Sequence, residues 1–262
     1  MSTYNALQET PWTSEAPLSS NNPSESFHSY PEDSVYRVTP RHLAGDDGAL
    51  AERVGDALAG IGWRVWPTAR GTLLYVSPDG LCGAEWLLAS YPFELGGLPV
   101  AWQVSARPDT GSVMVEWNAY FTVGVPHEPL ADFLLALDAR SAPSVGFDGP
   151  EVVLDELGTR GWFRDADRPH TTAFDPGFSA SVSLEPLPPL VQDGDPRPGQ
   201  VGWQAWADLG FGDPYLWCAS FSSSVPHDLA AVFASSVASP APVMRRTLPA
   251  RTEDRLSIVR CD

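Results

Sequence analysis

Residues 117–133 read WNAYFTVGVPHEPLADF and residues 217–233 read WCASFSSSVPHDLAAVF, with eight of the seventeen positions identical at a constant offset of 100. An internal repeat constrains the fold more than any local pattern, because each copy forms the same supersecondary unit and buries its apolar face in the same way. Two further pairs extend the match. Gly62-Trp63 corresponds to Gly161-Trp162, and Trp102-Gln103 to Trp203-Gln204, at offsets of 99 and 101. The drift of the offset implies small loop insertions. The expected organisation is a module over residues 34–142, a second over 143–239, a leader over 1–33 and a C-terminal tail over 240–262.

Each copy reads alike. Leu50, Val54, Leu58 and Ile61 recur at helical spacing over roughly 49–61. The counterpart opens at Pro150-Glu151, proline suiting the first helical turn and glutamate the positive helix end. Its apolar stripe is Val153, Leu154 and Leu157. Both helices run into a Gly-Trp pair, and glycine is the expected residue just past a helix. Strands follow. Thr72 to Ser77 closes on a Pro78-Asp79-Gly80 turn, and Leu81 to Ala89 and Val100 to Arg107 come next. After the turn at 108–111, Val113, Val115, Trp117, Ala119 and Phe121 share one face of a long strand, with Met114, Glu116, Asn118 and Tyr120 on the other. Clean alternation predicts an antiparallel sheet with one covered face. A second helix closes each copy, starting at Val125-Pro126-His127-Glu128 and at Val225-Pro226-His227-Asp228. Pro- and Gly-rich loops are expected over 91–99 and 186–199. The fold class is therefore α+β: two tandem repeats, each a helix, an antiparallel sheet of about four strands and a helix, packed as a pseudo-twofold pair. A short helix is expected over 253–260, and Arg245-Arg246 as a pair docking on the acidic body.

Composition narrows the function. The formal charge is -17, which repels phosphate backbones and anionic membranes. Direct nucleic-acid or membrane binding is not expected. The leader carries five acids and no base, has no apolar period, and reads as a disordered acidic tail. All 16 basic residues are arginine, so no Schiff-base lysine and no phosphate-loop lysine exists. Cys82, Cys218 and Cys261 are too few and too scattered for a disulfide framework or a metal knuckle, and read as the reduced thiols of a cytoplasmic protein. There is no signal peptide pattern, and no apolar stretch reaches the 18 or so residues that span a bilayer.

The repeat also resembles a known family. Arg41-His42-Leu43, the Ser77-Pro78-Asp79 turn after Gly62-Trp63, the Trp-x-Ala-x-Phe strand and the proline-started helix look like the actinomycete domain-of-unknown-function family 317, typical of Streptomyces and often duplicated within one chain. The resemblance covers about residues 35–240. The second copy departs from it, with Phe174-Asp175-Pro176 in place of Ser-Pro-Asp. The family implies no activity, cofactor or catalytic residue.

Candidate sites are few. His127 and His227 occupy equivalent positions and would begin a metal site if they faced each other, but zinc takes three or four ligands; a place in the first helical turn is the plainer account. The matched indoles Trp63/Trp162, Trp102/Trp203 and Trp117/Trp217 lie on the strand face that carries Val and Phe, so core packing outweighs a stacking platform. Trp66, Trp86 and Trp206 have no matched partner and are the better surface candidates. Asp165-x-Asp167 and Asp193-x-Asp195 read as solvated turns rather than cation loops. Nucleophile-elbow, HExxH, GxGxxG and phosphate-loop patterns are all missing, and no catalytic residue, cofactor or metal is assigned. The leading expectation is a non-catalytic binding or regulatory protein that holds a protein partner, with a homodimer left open. Two alternatives stand beside it: an unrecognised enzyme with a site at the inter-module cleft, and an acidic mimic of nucleic acid.

Overall fold

A computed structural model describes residues 35–87, 94–144, 146, 148–186, 199–210 and 213–261. In chain order these form β1 (Val35–Thr39), a 3-10 turn at Arg41–Leu43, α1 (Leu50–Gly60), β2 (Arg64–Pro67), β3 (Leu73–Val76), β4 (Cys82–Trp86), β5 (Glu94–Leu95), β6 (Leu98–Ala106), β7 (Trp117–Thr122) and α2 (His127–Asp138). Then come α3 (Glu151–Thr159), β8 (Phe163–Arg164), β9 (Thr172–Phe174), β10 (Ala180–Glu185), β11 (Gly202–Ala207), β12 (Trp217–Phe221), α4 (His227–Val237), β13 (Val243–Arg245), a 3-10 turn at Glu253–Arg255 and β14 (Ser257–Cys261). The fold is α+β.

The strands of both copies join in one antiparallel sheet of order β2-β3-β4-β6-β7-β12-β11-β10-β9-β8, with β5 paired to β6 off this path. The seam is the β7–β12 ladder, in register Phe121↔Ala219, Tyr120↔Ser220 and Ala119↔Phe221. Alternation sends Trp102, Val104 and Ala106, Trp117, Ala119 and Phe121, and their counterparts on β11 and β12 to one face, and all four helices pack there in a single core. Across that face α2 touches both α1 and α4, and α4 touches α3. Beneath α2 and α4, four phenylalanines meet over the seam. Phe121 lies 5.7 Å from Phe133 and 5.5 Å from both Phe221 and Phe233 between ring centroids, and Phe221 lies 5.2 Å from Phe233. Two of these rings come from each copy, so the core belongs to neither alone.

The helix ends follow their sequences. Trp63 N donates to Leu58 O and Gly62 N to Ala59 O, and Trp162 and Gly161 repeat the pattern on Leu157 and Gly158. These bonds satisfy the last carbonyls of α1 and α3, and they require the positive φ of Gly62 (88°) and Gly161 (84°).

The structure corrects four expectations. The strand expected from Val113 begins only at Trp117. Its pairing with β6 stops at Ala106↔Trp117, no strand among the described residues pairs with residues 113–115, and Val113 is 91% exposed. The loop at 91–99 holds the β5–β6 hairpin, turning at Gly96-Gly97. The helix expected at 253–260 is a 3-10 turn followed by β14, because residues 257–261 pair with β1. The C-terminal segment is therefore no loose tail: β13, β1 and β14 form a second, three-stranded sheet. The leader, the loop residues 187–198 and with them Asp193 and Asp195 lie outside the described residues.

The small sheet is clamped to α2 by Arg245. This side chain is 0% exposed, donates from Nη1 and Nη2 to both Glu128 oxygens at 2.6 and 2.7 Å, and from Nε to Gly45 O at 2.9 Å. Its neighbour Arg246 bonds Asp47 through the backbone amide.

Two stability outcomes follow. Phe121→Ala removes the ring that touches the other three phenylalanines and should cost about 3–5 kcal/mol, read by urea denaturation as a single transition shared by fluorescence and circular dichroism. Arg245→Met strands the Glu128 carboxylate and should cost about 3–5 kcal/mol, most of which Glu128→Leu in the same chain restores.

Candidate functional site

The six matched indoles are 0 to 7% exposed, so they are core. Three of their N–H groups tie the core to its surroundings: Trp63 Nε1 donates to Asp138 Oδ1 (2.6 Å), Trp117 Nε1 to Pro143 O (3.2 Å) and Trp217 Nε1 to His42 O (2.8 Å). Among the unmatched indoles, Trp86 is half-buried against Trp102, 5.4 Å away, and Trp206 is half-buried against Tyr215, 6.4 Å away. Trp66 remains at the surface, 55% exposed.

The two candidate histidines part company. His227 Nδ1 accepts the Trp203 indole N–H at 2.9 Å, so this histidine serves as the acceptor for a buried donor. In the first copy the equivalent atoms, Trp102 Nε1 and His127 Nδ1, are each buried with no hydrogen-bond partner. His127 is engaged through its other nitrogen instead, with Nε2 3.4 Å from Arg53 Nη1 and 3.4 Å from Glu128 Oε1. Burial pushes its pKa down to about 4; Glu128 opposes this, while Arg245, Arg53 and Arg41 reinforce it. Burial raises Glu128, but the hydrogen bonds and charge of Arg245 outweigh it and leave the carboxyl below its usual value. No group of three or more His, Cys, Asp or Glu side chains among the described residues could hold a metal ion. In the Asp165 turn, Asp165 Oδ1 accepts the Asp167 amide at 2.9 Å.

One cluster resembles hydrolase chemistry by composition. His42 Nε2 lies 3.0 Å from Ser179 Oγ and 3.7 Å from Asp175 Oδ2. A serine–histidine–carboxylate relay needs the serine on one ring nitrogen and the carboxylate on the other; here both sit at Nε2. Asp175 is also committed elsewhere. Its oxygens accept the amides of Gly177, Ser179 and Ala180 at 2.8, 2.5 and 2.6 Å. It occupies the turn position that Ser77 fills in the first copy, where Ser77 Oγ takes the Cys82 amide. The departure from Ser-Pro-Asp thus trades one turn-capping side chain for another. Burial lowers the pKa of His42 against the opposing charge of Asp175, so the ring is a neutral bridge between the N-terminal 3-10 turn and the second copy. The sequence missed this cluster because its members are 137 residues apart.

Around the cluster runs a cleft of about 400 Å3, walled by Pro40, Leu43, Trp162, Pro176 and Pro240, with Arg160 and Arg255 also lining it. A shallower groove of about 580 Å3 between α2, α3 and α4 shares Arg160 and Ser239 with it.

The sheet also ends openly. β2 is the terminal strand at one side, and all four of its residues are exposed, Val65 by 50% and Trp66 by 55%. In the register Trp66↔Leu74↔Glu85, Trp66 stands on the face away from the helices. Arg64 beside it and Arg70 in the following turn are exposed as well.

The comparisons agree with the repeat. A family model described as SPDY, a domain of unknown function (DUF317), matches residues 76–144 and again residues 189–243. The chain is a tandem DUF317 protein. In each DUF317 segment the match spans the inner strands and the helix that follows, so it includes the seam, the four phenylalanines and both histidines. His42, Asp175, Ser179 and β2 lie outside the two segments. No curated protein and no solved structure matched the chain. No helix among the described residues is long and apolar enough to cross a membrane.

The depressed pKa of His127 fixes a sign. The unfolded chain binds this proton near the usual 6.5 and the folded chain only near 4. Stability from the neutral ring is complete above 6.5 and is lost as pH falls through that window to about 4, because the unfolded state takes up the proton first. His127→Gln should therefore flatten the dependence of the urea midpoint on pH between 6.5 and about 4, leaving the smaller slope from His42 and His227, which are lowered in the same direction.

Proposed function

We propose that this DUF317 protein is a non-catalytic binding protein that holds a partner protein at the free edge of its sheet. The observation that carries the reading is β2, a terminal strand with two bulky apolar side chains exposed. Natural proteins blunt or cover such edges, because their open backbone groups pair with any strand that arrives. A partner segment in extended form would add to β2 as one more strand, its backbone giving affinity and Val65 and Trp66, on opposite faces, giving specificity. The exposed Arg64 and Arg70 favour a segment bearing Asp or Glu.

In this reading the two copies form a pseudo-twofold pair about the β7–β12 ladder, and the duplication serves to build a wide rigid plate rather than two binding heads. The mirrored strand order and the matched aromatic positions support that arrangement. The reading also places the chain in the cytoplasm. Its cysteines are free, and Cys82 and Cys218 are buried with their pKa raised to about 12 by burial first and neighbouring acids second, which suits inert thiols rather than redox centres.

The test is affinity purification from the source organism with the full chain, beside the variant Val65→Asp/Trp66→Asp. The expected result is a reproducible protein partner whose recovery falls at least about tenfold with the variant, a shift of about 1.4 kcal/mol. A partner indifferent to the variant, or none, overturns the proposal. Size-exclusion chromatography of the pure chain separates a second outcome: a dimer abolished by the same variant would make the second copy the occupant of the edge and would overturn the acidic partner.

A further inference from the structure

We propose that the cleft around His42 is a binding site for a small organic monoanion with an apolar ring, a site independent of the β2 edge. Five segments that are remote in sequence meet there: the turn after β1, the end of α3, the β9–β10 turn, the end of α4 and the C-terminal 3-10 turn. The volume of about 400 Å3 falls within the range of roughly 300–1,000 Å3 typical of ligand pockets. The walls are largely apolar, formed by Trp162, Leu43 and prolines, and suit a flat ring. The polar groups are few and convergent, which is the usual composition of a small-molecule site.

Charge decides the ligand class. Arg160 and Arg255 line this cleft on a chain whose formal charge is -17, and guanidinium forks match a carboxylate. Arg160 is held by nothing stronger than the Ser235 hydroxyl, at 3.2 and 3.3 Å, a bond that a charged ligand replaces with gain. The opposing charges are Asp175, whose oxygens already face three amides, Asp208, which lies within electrostatic reach of Arg255, and the C-terminal ends of α3 and α4, each worth about half a negative charge. Together these offset most of the charge of the two arginines. A dianionic phosphate group would be poorly held, whereas a single carboxylate at the rim is matched.

The experiment is isothermal titration calorimetry on the full chain with three probes: naphthoate, the neutral naphthalenemethanol and inorganic phosphate. The expected result is saturable binding of naphthoate at one site per chain, with the alcohol at least about tenfold weaker and phosphate unable to compete. Arg160→Gln/Arg255→Gln, which alters only exposed side chains, should weaken naphthoate at least about tenfold with an unchanged circular dichroism spectrum, and Val65→Asp/Trp66→Asp should leave it unchanged. Absence of saturable naphthoate binding overturns the proposal. So does equal binding of the alcohol, competition by phosphate at matched concentration, or affinity indifferent to the two arginines.

Discussion

The packing of Phe121, Phe133, Phe221 and Phe233 over the β7–β12 ladder is the contact on which the remaining architecture depends. Aromatic rings at 5.2–5.7 Å in tilted and edge arrangements gain more than their buried area alone. They are supplied equally by both copies. Once the two central strands pair, the flanking strands extend the sheet outward on each side, and the helices have one continuous surface to cover. α2 and α4 settle side by side at the middle, α1 and α3 beyond them. Half of this sheet would expose an inner strand and half a phenylalanine cluster.

A second constraint ties the ends of the chain to this body. β1 and β14 come from opposite ends of the described residues, yet they pair along their whole length, and β13 completes the small sheet. The sheet could pack by its own cluster of Tyr36, Val38, Val243 and Leu248, but its position is set by a charge. Arg245 reaches into the body, where both Glu128 oxygens and the carbonyls of Ala44 and Gly45 receive it. Burying a guanidinium is costly unless every donor is answered, and here the answer comes from the first turn of α2. Arg41 ties the other side, donating from Nη1 to the carbonyl and hydroxyl of Ser236 on α4, while its buried Nε has no hydrogen-bond partner.

Much of this was legible in the residues. The repeat, the four helices, the Gly-Trp helix ends and the burial of the matched indoles all follow from period and spacing, because those depend on contacts within one copy. What could not be read depends on contacts between distant segments. The alternation at Val113–Val115 looked like a strand, but a strand needs a neighbour, and the ladder ends at Trp117. Residues 257–261 alternate no better than many loops, and only β1, more than 200 positions earlier, makes them a strand. The docking of Arg245 on the acidic body was expected, but its full burial and its partner Glu128 were not, because composition gives no sign of the cavity that receives it. For the candidate site the same division holds. The histidine in the Val-Pro-His motif was visible, but its use as an indole acceptor in one copy and as part of an arginine network in the other was not. Trp66 was a surface candidate from its lack of a matched partner, but its place on a terminal strand depends on the order of the sheet.

The continuity of the sheet has a mechanical consequence. Proteins made of two linked folded units ordinarily flex at the junction, where packing is thinnest, and open or close a crevice there. In this chain the junction is a hydrogen-bonded ladder roofed by aromatic rings, and close-packed interiors of that kind do not deform gradually. Such a junction resists hinging. Any signal carried from one flank to the other must travel as a change in the mobility of loops and outer strands, with the halves themselves keeping a fixed angle.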